Sequence, residues 1–310
     1  MRDFFGYGPT PPNASWPGGA RVAVSFVVNV EEGAELSVID GDERNEPVHE
    51  ITEEVRNTPD PCRDTHFEYG TRVGYWRIVA MLEAFGAAAT LNACGRAIER
   101  SPWLAKDAVS RGHEVGCHGW RWERHAGMAE VEERAKIARA VAAIQSACGV
   151  APVGWHTRSA PSVNTRRLLL DHGGFLYDSD AYSDDLPFFA PVGDRRQLVL
   201  PYSFDTNDMH FHQGSQRFTT GGDFAEYVID AYDRLWQEGA DSPRMLSVGL
   251  HLRIIGRAGR IGGLERVLRH MVGRGGAWLT RRDAIARHWL GTFGIGARAV
   301  SGLGAADPTG

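Results

Sequence analysis

The chain has 310 residues, 43% of them hydrophobic and 24% charged, with a formal net charge of -5. That length suits one α/β barrel, and that apolar content fills a core without crosslinks. The acidic balance and scattered arginines argue against a nucleic-acid partner, and no apolar run is long enough to cross a bilayer.

The N-terminal MRDFFGYGPTPPNASWPGG is rich in Pro and Gly and has no uninterrupted apolar stretch, so it reads as surface chain and not as a signal peptide. RVAVSFVVNV follows, β-branched and apolar on both faces, as in a strand buried in a barrel or parallel sheet. Residues 31–70 form a long polar excursion without periodicity, which predicts a lid or binding loop. A helix is predicted over 71–86, ending at Gly86. AAATLNA is a strand, and Ser101 with Pro102 opens a helix as N-cap and first-turn proline. HEVGCH is a strand, residues 128–148 an amphipathic helix, PVGWH a strand and VNTRRLLLDHG a short helix. GFLYD and QLVLPY are strands, and DFAEYVIDAYDRLWQEG is a helix capped by Asp223. RMLSVGLH is a strand, 261–274 a helix, AWLTR a last strand and RDAIARHWL a last helix. Residues 1–290 then make one domain, and 291–310 a flexible tail.

Strands alternating with helices mean βα units around a parallel sheet. No G-x-G-x-x-G follows the first strand and no G-x-x-x-x-G-K-[ST] occurs; the Gly-rich GSQRFTTGGD has neither spacing. The expected fold is therefore a single-domain α/β barrel. None of Cys62, Cys94, Cys117 and Cys148 forms a C-x-x-C pair, so no zinc ribbon or redox motif is expected. Cys94 and Cys117 read as buried small hydrophobes, and a reducing cytoplasm suits the set.

Catalytic residues of a parallel barrel gather at the C-terminal ends of its strands. Here those ends carry Asn29, Glu31 and Glu32; His118; His156, Thr157 and Arg158; Asp178 and Asp180; Asp205, Asn207 and Asp208; and His251 and Arg253. Side chains alternate along a strand, so Glu31 is expected in the mouth on the side of Asn29, with Glu32 facing solvent or sharing the substrate.

SFVVNVEEG, GHEVGCHGW and SVGLH resemble, in order, motifs of the polysaccharide deacetylase (NodB-homology) superfamily. The resemblance implies a deformed (β/α)7-type parallel barrel and hydrolysis of a carbon–nitrogen bond. Members usually hold a metal on a first-motif aspartate and two histidines of H-x-x-x-H. This chain departs from that pattern: Trp122 stands where the second histidine belongs, and Asn29, Glu31 and Glu32 replace the aspartates. One alignment puts Asn29 at the base position and Glu31 at the ligand position; the other sets Glu31 and Glu32 for the aspartate pair. These departures, with FEYGTRVGYWR, PYSFDTNDMHF and SVGLHLRIIGRAGR, resemble the metal-independent allantoinase branch. GWHTRSAPSVNTRR differs from that branch, so the substrate is open.

The resemblance implies no cofactor and a small-molecule substrate. Glu31, tuned upward by burial, is expected to act as base on water with help from His118. Arg158 would hold the oxyanion, and His251 would protonate the leaving nitrogen. Asn29, Glu32, Asp178, Asp180, Asp205 and Asn207 would read a small polar ring, with Glu68 and Arg72 on the lid side. Trp122 and Trp155, with Trp76 and Trp120, would wall the pocket. Assembly as a homo-oligomer is also implied. The rival readings are a zinc-dependent N-deacetylase of sugars and a barrel that only binds.

Overall fold

A computed structural model describes residues 2–51, 53–212 and 217–294. Gly214–Gln216 of the Gly-rich stretch and residues 295–310 of the expected tail lie outside them.

Strand β1 (Val22–Val30) is buried along its whole length, as a run apolar on both faces requires. The excursion after it contains a helix that the periodicity did not predict, α1 (Pro61–Tyr69). It is specified by its start instead: the Asp60 carboxylate accepts from the N–H groups of Cys62 and Arg63, and Pro61 sits in the first turn. A π-helical turn, Gly70–Gly74, runs straight on into α2 (Tyr75–Ala84). Gly70 faces Glu32, and a Cβ there would overlap the glutamate side chain.

β2 (Ala89–Ala93), α3 (Gly95–Arg100), α4 (Pro102–Ser110), β3 (Glu114–Cys117), α5 (Glu130–Cys148), β4 (Gly154–Trp155), α6 (Thr165–His172) and β5 (Tyr177–Asp178) follow. Ser101 precedes α4, but its side chain makes no capping bond. Next comes an unpredicted strand, β6 (Phe188–Val192), antiparallel to β7 (Arg195–Val199). It is a half-exposed edge strand that tolerates Pro191, so it lacks a strand's clean pattern. α7 (Gly221–Glu238) starts before the predicted point. Thr220 is the cap, and Asp223 is its partner in a reciprocal capping box. β8 (Arg244–His251), α8 (Ile261–Arg274), β9 (Ala277–Leu279) and α9 (Arg282–Phe293) complete the described chain. α9 carries residues 291–293 of the expected tail as helix.

The strands run in the order β6-β7-β5-β4-β3-β2-β1-β8, parallel except at β6–β7, with β9 also pairing β1. Beyond β7 the chain reaches β8, where Asn207 bridges Gly249 in parallel and the Gly249 N–H donates to the Thr206 carbonyl at 2.9 Å. That segment closes a curled, parallel-rich sheet into the deformed single-domain barrel that the motifs implied. Inside, the fully buried Arg282 of α9 donates to Ser25 of β1, Ser179 after β5, Ser247 of β8 and the carbonyls of Leu200 and Pro201 after β7. Among the described residues the four cysteines are free, Cys94 and Cys117 buried as expected, and no helix is long and apolar enough to cross a membrane.

Candidate active site

β1 and β8 are neighbours in register, with Asn29 opposite His251. Their ends therefore bring Glu31, Glu32, His251 and Arg253 together, and β3 delivers His118 beside them. Glu31 is 1% exposed. Its Oε1 lies 3.4 Å from His251 Nε2 and 3.6 Å from His118 Nε2, while Arg253 Nη1 donates to its Oε2 at 2.7 Å. Burial alone would raise this carboxyl, but Arg253, His251 and His118 outweigh it and hold the group well below the usual carboxylate range. The expected upward tuning of Glu31 is thus reversed, because a guanidinium shares its pocket.

Glu32 carries the raised value, about 7, through burial and the adjacent Glu31 charge, with Arg253 opposing. It is neither solvated nor in the cavity wall. It turns beneath the site, where its carboxylate accepts from the Glu31 N–H at 3.0 Å and lies 3.4 Å from Arg253. Asp208, after the closing segment, anchors His251: it accepts from the ring Nδ1 at 2.6 Å and from the His251 and Ile255 N–H groups. Burial would depress this imidazole, yet Asp208 and Glu31 lift it to about 9. His118 Nδ1 donates to the His156 carbonyl at 2.6 Å, which turns Nε2 toward Glu31.

These groups open onto a cavity of about 280 Å³. Asn29, Glu31, His118, Trp122, Arg158, Asn207 and His251, all singled out in the sequence, line it. Its outer wall is residues 46–50 of the excursion, with His66 of α1 and His212. Glu50 bridges these walls, 3.2 Å from His212 Nε2 and 3.6 Å from His66 Nε2. No periodicity marks Glu46, Glu50, His66 or His212, so the sequence offered no signal for them. His156 and Tyr202 also line the cavity. His156 is held neutral, its pKa well below the usual histidine range through burial and the neighbouring His118.

Other expected site residues are elsewhere. Glu68 and Arg72 pair with each other in solvent, because the helix turns that face outward. Trp155 is fully buried, its Nε1 on Thr157 Oγ1 at 2.9 Å. Asp178 is bound by Arg166 at 2.8 and 2.9 Å, and Asp180 by the Thr157 N–H and hydroxyl. Both are braces behind the cavity, not readers of a ligand. Asp205 is exposed and lines a separate surface pocket. Trp76 stacks on Trp103 at the surface, and Trp120 lies under Arg139. Arg158 is in the wall but engaged: its guanidinium lies 3.4 Å over the Trp122 ring and donates to the Trp122 carbonyl and to Glu46.

The donor set does not fit the family's catalytic zinc, which needs about three protein ligands and an open position. Of the three places the motifs assign, Glu31 has its Oε2 taken by Arg253, His118 faces Glu31 through Nε2, and the third is the ring of Trp122 beneath two guanidinium groups. Among the described residues no group of three metal-binding side chains converges.

Residues 56–171 match the family model described as polysaccharide deacetylase. A Schizosaccharomyces pombe protein bearing the polysaccharide deacetylase name is 35% identical over 313 residues, covering 93% of this chain and 96% of that protein. A crystal structure from Pseudomonas aeruginosa PAO1, described as a probable polysaccharide deacetylase, superposes with a TM-score of 0.90 at 40% identity, over 95% of this chain and 99% of that one. The crystal structure of PuuE allantoinase superposes with a TM-score of 0.90 at 41% identity, over 94% of this chain and 98% of that one.

Proposed function

This chain belongs to the polysaccharide deacetylase family, as a hydrolase of non-peptide carbon–nitrogen bonds, and we propose that it opens a small cyclic amide or ureide without a metal. The observation that carries this reading is the Arg253–Glu31 pair beside Trp122, which supplies a fixed cationic charge in place of an ion. The similarity to PuuE allantoinase supports the substrate class, and a cavity of about 280 Å³ suits a small ring better than a sugar polymer.

In this reading a water is shared by Glu31 Oε1 and His118 Nε2 from the cavity side of their 3.6 Å contact. Glu31, kept ionised, is a weak proton acceptor and orients the water; His118 Nε2 takes the proton as the oxygen attacks the carbonyl carbon. His251, cationic through Asp208, gives its Nε2 proton to the leaving nitrogen as the C–N bond breaks. Arg253 keeps Glu31 ionised throughout. Arg158 shapes the wall against Trp122 and Glu46. A small-molecule substrate met in the cytoplasm by a homo-oligomer completes the proposal, and light scattering and cell fractionation test those two parts.

The test is turnover of allantoin, hydantoin and N-acetylglucosamine oligomers after exhaustive chelation. Undiminished ring opening is the expected result. Activity recovered only with added zinc, on N-acetyl sugars, would replace this reading with that of a metal-dependent sugar N-deacetylase.

A further inference from the structure

Tyr202 stands in the cavity wall on the segment that closes the barrel, its ring centroid 4.4 Å from that of His156. Asn29 Nδ2 donates to its hydroxyl at 3.0 Å and Asn207 Nδ2 at 3.1 Å. Both amide orientations are fixed independently. Asn29 Nδ2 also donates to the Leu250 carbonyl at 3.2 Å, a place only a donor can fill. Asn207 Oδ1 accepts from the Met209 N–H at 2.9 Å, a place only an acceptor can fill. A phenol oxygen accepts about two hydrogen bonds and donates one. Both acceptor places at Tyr202 are therefore used, and what the hydroxyl still offers is its proton. Burial raises its pKa, so the proton stays on.

Asn29 shows the complementary lack. It is 2% exposed and lines the cavity, yet its Oδ1 has no hydrogen-bond partner. An unpartnered buried acceptor is costly unless a ligand completes it. The backbone makes room for this arrangement at Gly249 of β8, where a Cβ would overlap both Tyr202 Oη and Asn207 Nδ2.

We propose that the Tyr202 O–H donates to the carbonyl oxygen under attack and holds it as an oxyanion, while Asn29 Oδ1 accepts the N–H beside that carbonyl. The inference rests on the amide-hydrolysis reading above and names the donor that Arg158, bound to Trp122 and Glu46, does not supply. As the water oxygen bonds to carbon, the carbonyl π pair moves onto oxygen and stays there against the phenol proton, which is not transferred. The pair returns as the C–N bond breaks, and the nitrogen leaves with the proton from His251. A donor and an acceptor side by side match a C=O and N–H on one edge, which is a cis amide. Open-chain secondary amides strongly disfavour that form, whereas small rings hold it, so this pair selects lactam-like cyclic amides and ureides over N-acetyl groups.

The test is Tyr202→Phe with hydantoin as substrate. It should lower kcat about 10²–10³-fold, the usual cost of losing one oxyanion donor, with KM little changed. Asn207→Asp keeps the phenol but offers a carboxylate that captures its proton, and should lower kcat similarly; it carries the test if Tyr202→Phe does not fold by circular dichroism. Wild-type enzyme should fail on hydantoin methylated at the scissile nitrogen, which removes the N–H that Asn29 accepts. Tyr202→Phe turnover equal to wild type, or a loss confined to KM, would overturn the oxyanion role. If wild-type enzyme instead hydrolyses only N-acetyl sugars, the cyclic-amide reading and this edge selection fall; the kcat comparison on that substrate then decides the Tyr202 donor separately.

Discussion

Arg253 donates to Glu31 at 2.7 Å across a sequence separation of 222 residues, inside a site where both side chains are buried. The pair keeps a carboxylate ionised where burial would protonate it, and it closes one oxygen of that carboxylate to any metal.

Replacing Arg253 with Gln should therefore be severe. Removing one member of a buried ion pair costs about 3–5 kcal/mol, because the remaining charge is left without compensation. Chemical denaturation should show that loss, and turnover should collapse with it. Arg253→Lys should retain part of both. An Arg253→Gln protein as stable and active as wild type would remove the pair from the mechanism.

The Glu31→Gln variant tests the carboxylate from the other side of the pair. Its amide keeps the volume but leaves Arg253 only Glu32 at 3.4 Å, so the thermal midpoint should fall as well, and turnover is read far below that midpoint. Turnover should fall by about 10²–10⁴-fold as the water loses its charged partner. Unchanged turnover in a kinetic assay would exclude Glu31 from the reaction.

His251 predicts the alkaline behaviour. Its pKa is about 9 in the fold, against about 6.5 for a free histidine. The stability it contributes is complete below the free value and is lost as pH rises through about 9. Glu32, raised to about 7, works in the same direction from lower pH: its contribution fades as it ionises. Stability should thus decline from mildly acid to alkaline solution, and kcat/KM should fall on a limb near pH 9. Asp208→Asn should bring that limb down toward neutrality; a limb that does not move would show that His251 is not the acid.

Trp122→His restores the H-x-x-x-H spacing but leaves Arg158 and Arg253 in place. By itself it should not confer tight zinc binding in calorimetry, because the cationic charge beside Glu31 persists. Tight binding by the single variant would mean that Trp122 alone keeps the metal out.

The centre of the site could be read from the chain because it lies at strand ends. β1, β3 and β8 have strong apolar patterns, and Asn29, Glu31, His118 and His251 follow from where those patterns stop. The outer wall could not, since Glu46, Glu50 and His66 belong to an excursion whose α-helix is announced by a cap and not by a stripe. Asp178, Asp180 and Asp205 shared the strand-end signal without the role, because position on a strand does not tell a brace from a reader. The direction of the Glu31 shift was also hidden: burial was legible, but the guanidinium that overrides it arrives from the other end of the chain.

Arg282 has a further consequence, in the order of assembly. It is the inner tie among β1, β5, β7 and β8, yet it belongs to a helix that follows all the described strands. Emerging strands can pair as they leave the ribosome, but the polar groups they turn inward wait for a partner made after β9. Closure of this barrel is therefore a late, long-range event, the slow kind of step in a parallel sheet. A nascent chain stalled short of Arg282 would carry every strand from β1 to β9 and still be a substrate for chaperones.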